Sequence, residues 1–161
     1  MPLYPDAEGK VRANLRTLES GGRAMLVAIG TFTERQLDDI NAVRRGLRLH
    51  EIKSREIVFI GRHLHASRAK DGYTLDDIWM QIEAALSSAS VVFANPKMTA
   101  LENPQGRADG YGNTVHDRAI FECTQRKPRA ELFSVIPKGD GQKPITKKAH
   151  PWVSLPGDDL G

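Results

Sequence analysis

Apolar side chains recur every three or four residues in two stretches of the chain, and each stretch follows a residue that caps helices. Thr33 stands three residues before Gln36, which is the spacing of a capping box, and Gly46 can end that helix. Thr74 is the second expected N-cap, with two aspartates in the first turn, where the helix dipole favours negative charge. The apolar stripes of the two predicted helices are Leu37, Ile40, Val43 and Leu47, and then Ile78, Trp79, Ile82, Ala85 and Leu86.

Residues 55–69 fit two interpretations. The β-branched run that starts at Ile57 is typical of a strand, but Ile57, Ile60 and Leu64 also recur at the period of a helix. We predict a helix from about residue 55 to residue 69 that buries these three side chains.

The beginning of the chain and its second half lack such a stripe. For residues 1–22 we predict a loose arm with one helical turn near Val11–Leu18. For residues 24–30 we predict a strand or a buried segment that leads into the first helix. In the second half we predict a loop over 102–113 and a hairpin with a basic tip at 126–129. The predicted strands are Val91–Phe93, Thr114–Thr124 and Leu132–Ile136.

Helices followed by strands predict an α+β fold, with N-terminal helices packed on one face of a small antiparallel β-sheet. We divide the chain into an N-terminal arm and apolar segment (1–30), a core domain (31–138) and an extended basic C-terminal tail (139–161). The single cysteine, Cys123, is expected in the core. Because one cysteine cannot form an intramolecular disulfide, the sequence suits a reducing, cytoplasmic location. No apolar run approaches the roughly 18 residues of a membrane span. We expect no membrane association and no cofactor.

The net charge is only +3, but the basic residues concentrate in residues 44–70 and 126–148. Such clusters indicate a phosphate-bearing partner, although solvated surface is the common alternative. We predict nucleic acid as the partner, RNA rather than DNA, with a protein partner as an alternative. The residues predicted to contact nucleic acid are Arg44, Arg45, Arg68, Arg126, Lys127 and Arg129.

The densest cluster of reactive side chains is Arg62–Arg68, which contains His63 and His65. Metal-independent RNA cleavage needs a general base, a general acid and a cation for the phosphate. On a helix the two histidines point about 200° apart, so only His65 shares a row with Arg62. On a strand, His63 and His65 would point the same way. A zinc site that adds His116 or His150 is an alternative, which we rank below metal-free chemistry.

The chain also resembles a known group of nucleases. The resemblance rests on a helix with Arg-His-x-His, a helix opened by Tyr-Thr-x-Asp-Asp, a Val-Val-Phe strand and a hairpin ending Leu-Phe-Ser-Val-Ile-Pro. These features, over about residues 54–138, resemble phage-associated domains of the barnase/EndoU/colicin/RelE-like group. The resemblance implies a four-stranded antiparallel sheet against N-terminal helices, and RNA cleavage without metal. It implicates Arg62 and His65 (or His63) on the helix, and Thr124 and Ser134 on the strands.

Two classes of function follow. The first is a metal-independent endoribonuclease, as in a toxin or a phage-encoded effector. The alternative is a non-catalytic nucleic-acid-binding module or a phage accessory module that binds protein. A concave pocket that gathers Arg62, His65, Thr124 and Ser134 would favour the enzyme, whereas cations spread over a convex face would favour binding.

Overall fold

The computed structural model describes residues 3–87, 91–94, 98–108, 111–124 and 127–139, which form four helices and seven strands. The helices are α1 (Ala7–Glu19), α2 (Glu34–Gly46), α3 (Arg62–Asp71) and α4 (Leu75–Ser87). The strands are β1 (Val27–Thr31), β2 (Glu56–Phe59), β3 (Val91–Ala94), β4 (Met98–Glu102), β5 (Arg107–Ala108), β6 (Thr114–Thr124) and β7 (Lys127–Gly139).

The strands form one sheet in the order β1-β2-β7-β6-β4-β3, and β5 pairs with β6. The β2–β7 pair is parallel, and the other pairs are antiparallel. The predicted α+β class is confirmed, but the sheet is mixed. Its first two strands also lie between the helices in sequence rather than after them.

The core lies between the helices and one face of the sheet. Along β6, alternate side chains Ala119, Phe121 and Cys123 belong to the core cluster, as the period of two in a strand requires. Phe121 meets the ring of Phe32 edge to face, with centroids 5.2 Å apart. All four helices contribute to the same cluster, including these fully or almost fully buried residues: Val11, Leu15, Ile40, Leu64, Ile78 and Ile82. The expected position of Cys123 in the core is also confirmed.

Both predicted helix caps are present. The backbone N–H of Gln36 donates to the Thr33 hydroxyl over 3.1 Å, and the Gln36 side chain accepts from the Thr33 N–H over 2.9 Å. The same reciprocal pair links Thr74 and Asp77 at the start of α4. These caps fix where α2 and α4 begin, which is why the sequence located both helices well.

The predicted helix over 55–69 is wrong in its first half. Residues 56–59 form the strand β2 because β1 and β7 pair with it on its two sides. Ile57 and Phe59, two residues apart on this strand, both belong to the core cluster. Gly61, at φ 101°, then separates β2 from α3. A side chain at Gly61 would meet the Phe59 ring at 2.8 Å, so the turn depends on glycine. Ile57 and Leu64 are buried as expected, but from two different elements.

The loose arm predicted for residues 1–22 is wrong, although the helical turn predicted near Val11–Leu18 does lie within a longer helix. Residues Ala7–Glu19 form α1, whose Ala7, Val11 and Leu15 are fully buried. The Asn14 amide donates to the backbone carbonyls of Met25 and Ile60, which ties α1 to the segments beside β1 and β2. Residues 24–30 do contribute a strand, β1.

The predicted loop and the predicted C-terminal tail have different outcomes. A short strand, β5, interrupts the loop predicted over 102–113. The predicted tail lies outside the described residues from position 140 onwards. None of the described helices is long and apolar enough to cross a bilayer.

Candidate functional site

Helix α3 lies against β7 and carries the predicted catalytic cluster. The side chain of Leu64 is buried in the core, whereas Arg62 and His63 are exposed and His65 is half-buried. The His63 ring stacks on the half-buried Phe133 ring, with centroids 4.1 Å apart and planes 20° from parallel. This contact forms an aromatic surface on α3, and the exposed Arg62 is the residue before His63 in the chain. Sequence reasoning missed Phe133, because a contact between a helix and a later strand leaves no local pattern.

The five predicted catalytic residues are not all brought together. Arg62 and His65 lie three residues apart on α3, as expected. Ser134 follows the stacked Phe133 but is only 5 % exposed, and it pairs with Ile120 across the sheet. Thr124 pairs with Lys127 at the other end of the hairpin, four residues along β6 from Ile120, or about 13 Å at the rise of a strand. The backbone positions of Thr124 and Ser134 therefore lie well apart along the hairpin.

Three predicted nucleic-acid contacts are already engaged within the protein. Arg44 is 2 % exposed, so the expectation that it contacts nucleic acid at the surface is wrong. Arg45 forms an ion pair with Glu51, and Arg129 forms one with Glu56 over 2.9 Å. Arg68 is part of α3 and Lys127 begins β7, but the side chains of both, like Arg126 as a whole, lie outside the described residues.

The buried Arg44 instead organises the contact between α2 and the sheet. Its guanidinium donates to the Thr99 hydroxyl over 2.7 Å and to the His50 carbonyl over 2.9 Å. Burial lowers the pKa of Arg44. Burial also raises the pKa of Cys123 to about 11, although Arg44 acts against that shift, so Cys123 is a neutral thiol at neutral pH and not a ready nucleophile.

A cleft of about 590 Å³ opens elsewhere, at the turn between α3 and α4. We call it the α3–α4 cleft, and its polar and aromatic lining is Asp71, Tyr73, Asp77, Gln81, Arg107 and Tyr111. Arg107 is held by two hydrogen bonds of 2.7 and 2.8 Å to the buried Asp117 carboxylate. Burial raises the pKa of Tyr73, and the Asp71 carboxylate adds to the rise.

None of the cleft residues was singled out in the sequence. One signal was present: Gln81 lies three residues after Ile78 and four before Ala85, on the buried side of α4. A buried glutamine in an apolar stripe indicates a polar contact that the helix pattern alone does not explain.

The structure gives no support to the zinc alternative. Among the described residues, no group of three or more His, Cys, Asp or Glu side chains could hold a metal ion. The ring of His116 lies 3.3 Å from the Asn103 carbonyl oxygen, and His150 falls outside the described part.

Comparison with models of protein families, with curated proteins and with solved structures finds no match to this chain. The case for a function therefore rests on the site itself.

Proposed function

We propose that the chain binds single-stranded nucleic acid, RNA in preference to DNA, through the outer surface of α3. The observation that carries this proposal is the stack of the exposed His63 ring on Phe133. The exposed Arg62, one residue earlier in the same helix, adds a cation to this surface. Single strands offer unpaired bases that stack on aromatic rings, and their phosphates attract nearby cations.

The His63 ring is well suited to receive a base. One face of the ring rests on Phe133, which limits the orientations that the side chain can adopt. Because His63 remains exposed, a base can add to this stack. A ring that is already oriented loses little conformational entropy on binding, so more of the stacking energy contributes to affinity.

Two described cations of α3 are available to contact phosphate. Within the described part of the chain, Arg62 and Lys70 are exposed and have no ion-pair partner. Arg45 and Arg129, in contrast, would have to give up Glu51 and Glu56. We therefore place the main phosphate contacts on α3 and not on the wider set expected from the sequence.

Binding is tested by fluorescence anisotropy at low salt with a labelled single-stranded RNA, the matching DNA and an RNA duplex. The proposal expects the single-stranded RNA to bind most tightly and Arg62→Gln to weaken its binding. Arg35→Gln is the matched control, because Arg35 is 93 % exposed on α2, outside the proposed surface. No binding to any of the three probes, or equal losses in both variants, would contradict the proposal.

A second candidate is RNA cleavage without metal at the same surface. Its support is the placement of Arg62 and His65 three residues apart on one helix, where their side chains are neighbours. In this proposal His65 transfers the proton and Arg62 stabilises the charged phosphate.

A further inference from the structure

We propose that the α3–α4 cleft binds a small organic cation, an ammonium or guanidinium group with N–H donors on a short apolar stem. This inference is independent of the proposed nucleic-acid binding. It rests on the shape of the cleft, its charge and one buried side-chain oxygen that has no hydrogen-bond partner among the described residues.

The shape and the rim suit a small, partly apolar molecule. A volume of about 590 Å³ falls within the range of roughly 300–1,000 Å³ that is usual for small-molecule sites. Met80 and Tyr111 line this cleft and are 41 % and 91 % exposed. Such large apolar side chains, left open to water at the mouth of a cleft, can cover the stem of a ligand, and Tyr111 can also face a cation.

The fixed charge of the cleft favours a cation. Asp71 and Asp77 line it, and Asp71 has no ion-pair partner among the described residues. Arg107 is the one basic side chain among the described residues that line the cleft, but the buried Asp117 carboxylate binds it with two hydrogen bonds and offsets its charge. Within the described part of the chain, two carboxylates therefore remain without a matching cation, and they would repel an anionic ligand.

The strongest indication of a ligand is Gln81. Its side chain is 2 % exposed and lines the cleft, yet its Oε1 oxygen accepts no hydrogen bond from any residue that the structure describes. An unsatisfied buried carbonyl oxygen is rare in proteins, because leaving it unpaired is costly. A ligand N–H group supplies the missing donor, and this requirement excludes quaternary ammonium compounds, which have none.

Tyr73 completes the polar wall. Burial raises the pKa of Tyr73, and the Asp71 carboxylate adds to the rise, although a hydrogen bond with the Gln81 side chain and the charge of Arg107 act against it. The hydroxyl therefore stays protonated at neutral pH. A protonated hydroxyl adds no negative charge and can accept a hydrogen bond from the same N–H group while its ring faces the stem.

The test is isothermal titration calorimetry of the full chain with agmatine, which carries both a guanidinium and an ammonium group on an apolar stem. N-butylurea is the uncharged comparison, and an acetylated Ala-Arg-Ala amide presents the same guanidinium on a peptide. We expect agmatine or the peptide to bind and N-butylurea to bind far more weakly. Tighter binding of agmatine would identify a free amine as the ligand, and tighter binding of the peptide would identify an arginine side chain.

Two variants locate the binding. Asp71→Asn should weaken it about two- to fivefold, as expected for one partly solvated charge pair. Gln81→Leu should weaken it about tenfold or more, since a hydrogen bond to a charged donor is lost. Without ligand, Gln81→Leu should keep or raise the melting temperature, because it removes the unpaired oxygen. If Gln81 served only to stabilise the fold, the same substitution would lower the melting temperature.

The matched control is Asp38→Asn, which removes the same charge from an exposed position on α2. It should leave binding unchanged. The proposal is overturned by any of three results: neither cationic probe binds, N-butylurea binds as tightly as agmatine, or Asp38→Asn reduces binding as much as Asp71→Asn.

Discussion

The Arg44 guanidinium on α2 donates a hydrogen bond of 2.7 Å to the Thr99 hydroxyl on β4. Both side chains are buried, and no carboxylate in the described part of the chain forms an ion pair with Arg44. A buried charge without a counter-ion depends on its hydrogen bonds, since its loss of hydration must be offset. The contact between α2 and the sheet therefore depends on a polar pair and not only on apolar packing.

Replacing Thr99 with valine should lower the free energy of unfolding by about 1–3 kcal/mol, because it leaves a buried N–H donor of Arg44 unpaired. Urea denaturation measures the loss. Thr114→Val, at an exposed position at the start of β6, should change stability by no more than about 0.5 kcal/mol.

The double variant Arg44→Met/Thr99→Val should recover part of that loss, since the charge itself is then removed. A Thr99→Val protein as stable as Thr114→Val would show that the hydrogen bond contributes nothing.

Gly61→Ala should destabilise the protein by about 1–3 kcal/mol, since the residue has φ 101° and its Cβ would meet the Phe59 ring. Gly9→Ala is the matched control, because Gly9 lies within α1 with no atom near its added Cβ. It should stabilise the protein by about 0.5–1 kcal/mol. Thermal unfolding compares the two variants, and equal effects would rule out the sharp break between β2 and α3.

Local signals in the sequence predicted part of this fold. The caps at Thr33 and Thr74 are contained within four residues each, so α2 and α4 were found correctly. The segment around Ile57 was misread because its pairing with β7 joins residues more than seventy positions apart, and that pairing outweighs the helical spacing of Ile57, Ile60 and Leu64.

In the candidate site, too, only the arrangements that depend on nearby residues could be predicted from the sequence. The placement of Arg62 and His65 on one helix could be predicted because they lie only three residues apart in the sequence. The stacking of His63 on Phe133 could not be found, because it joins a helix to a strand about seventy residues later. Arg44 was misassigned because charge alone does not tell a surface arginine from one buried against Thr99.

If α3 also cleaves RNA, His65→Ala should lower the cleavage rate about 10²–10⁴-fold while leaving RNA binding largely intact. Cleavage of a labelled RNA is followed in EDTA, with His63→Ala as the comparison. His63→Ala should weaken RNA binding more than it lowers the cleavage rate of RNA that is already bound. Intact RNA after long incubation with clean wild-type protein would reject cleavage but leave the binding proposal standing.

Binding to single-stranded RNA should weaken as salt rises. Each phosphate neutralised contributes about −0.7 to the slope of log K against log salt concentration, so Arg62→Gln should reduce the slope by about 0.7. Arg35→Gln should leave it unchanged. A slope near zero for the wild-type chain would contradict phosphate contact by α3.

The most direct test of the central claim compares the affinities of wild-type protein, His63→Phe and His63→Ala for one single-stranded RNA. A base that stacks on the His63 ring predicts that phenylalanine retains most of the affinity, whereas alanine loses about 1–3 kcal/mol of binding free energy. The three melting temperatures check that the fold is kept. Equal losses in His63→Phe and His63→Ala would assign the contact to the imidazole nitrogens, and wild-type affinity in His63→Ala would remove this surface from RNA binding; either result would contradict the account.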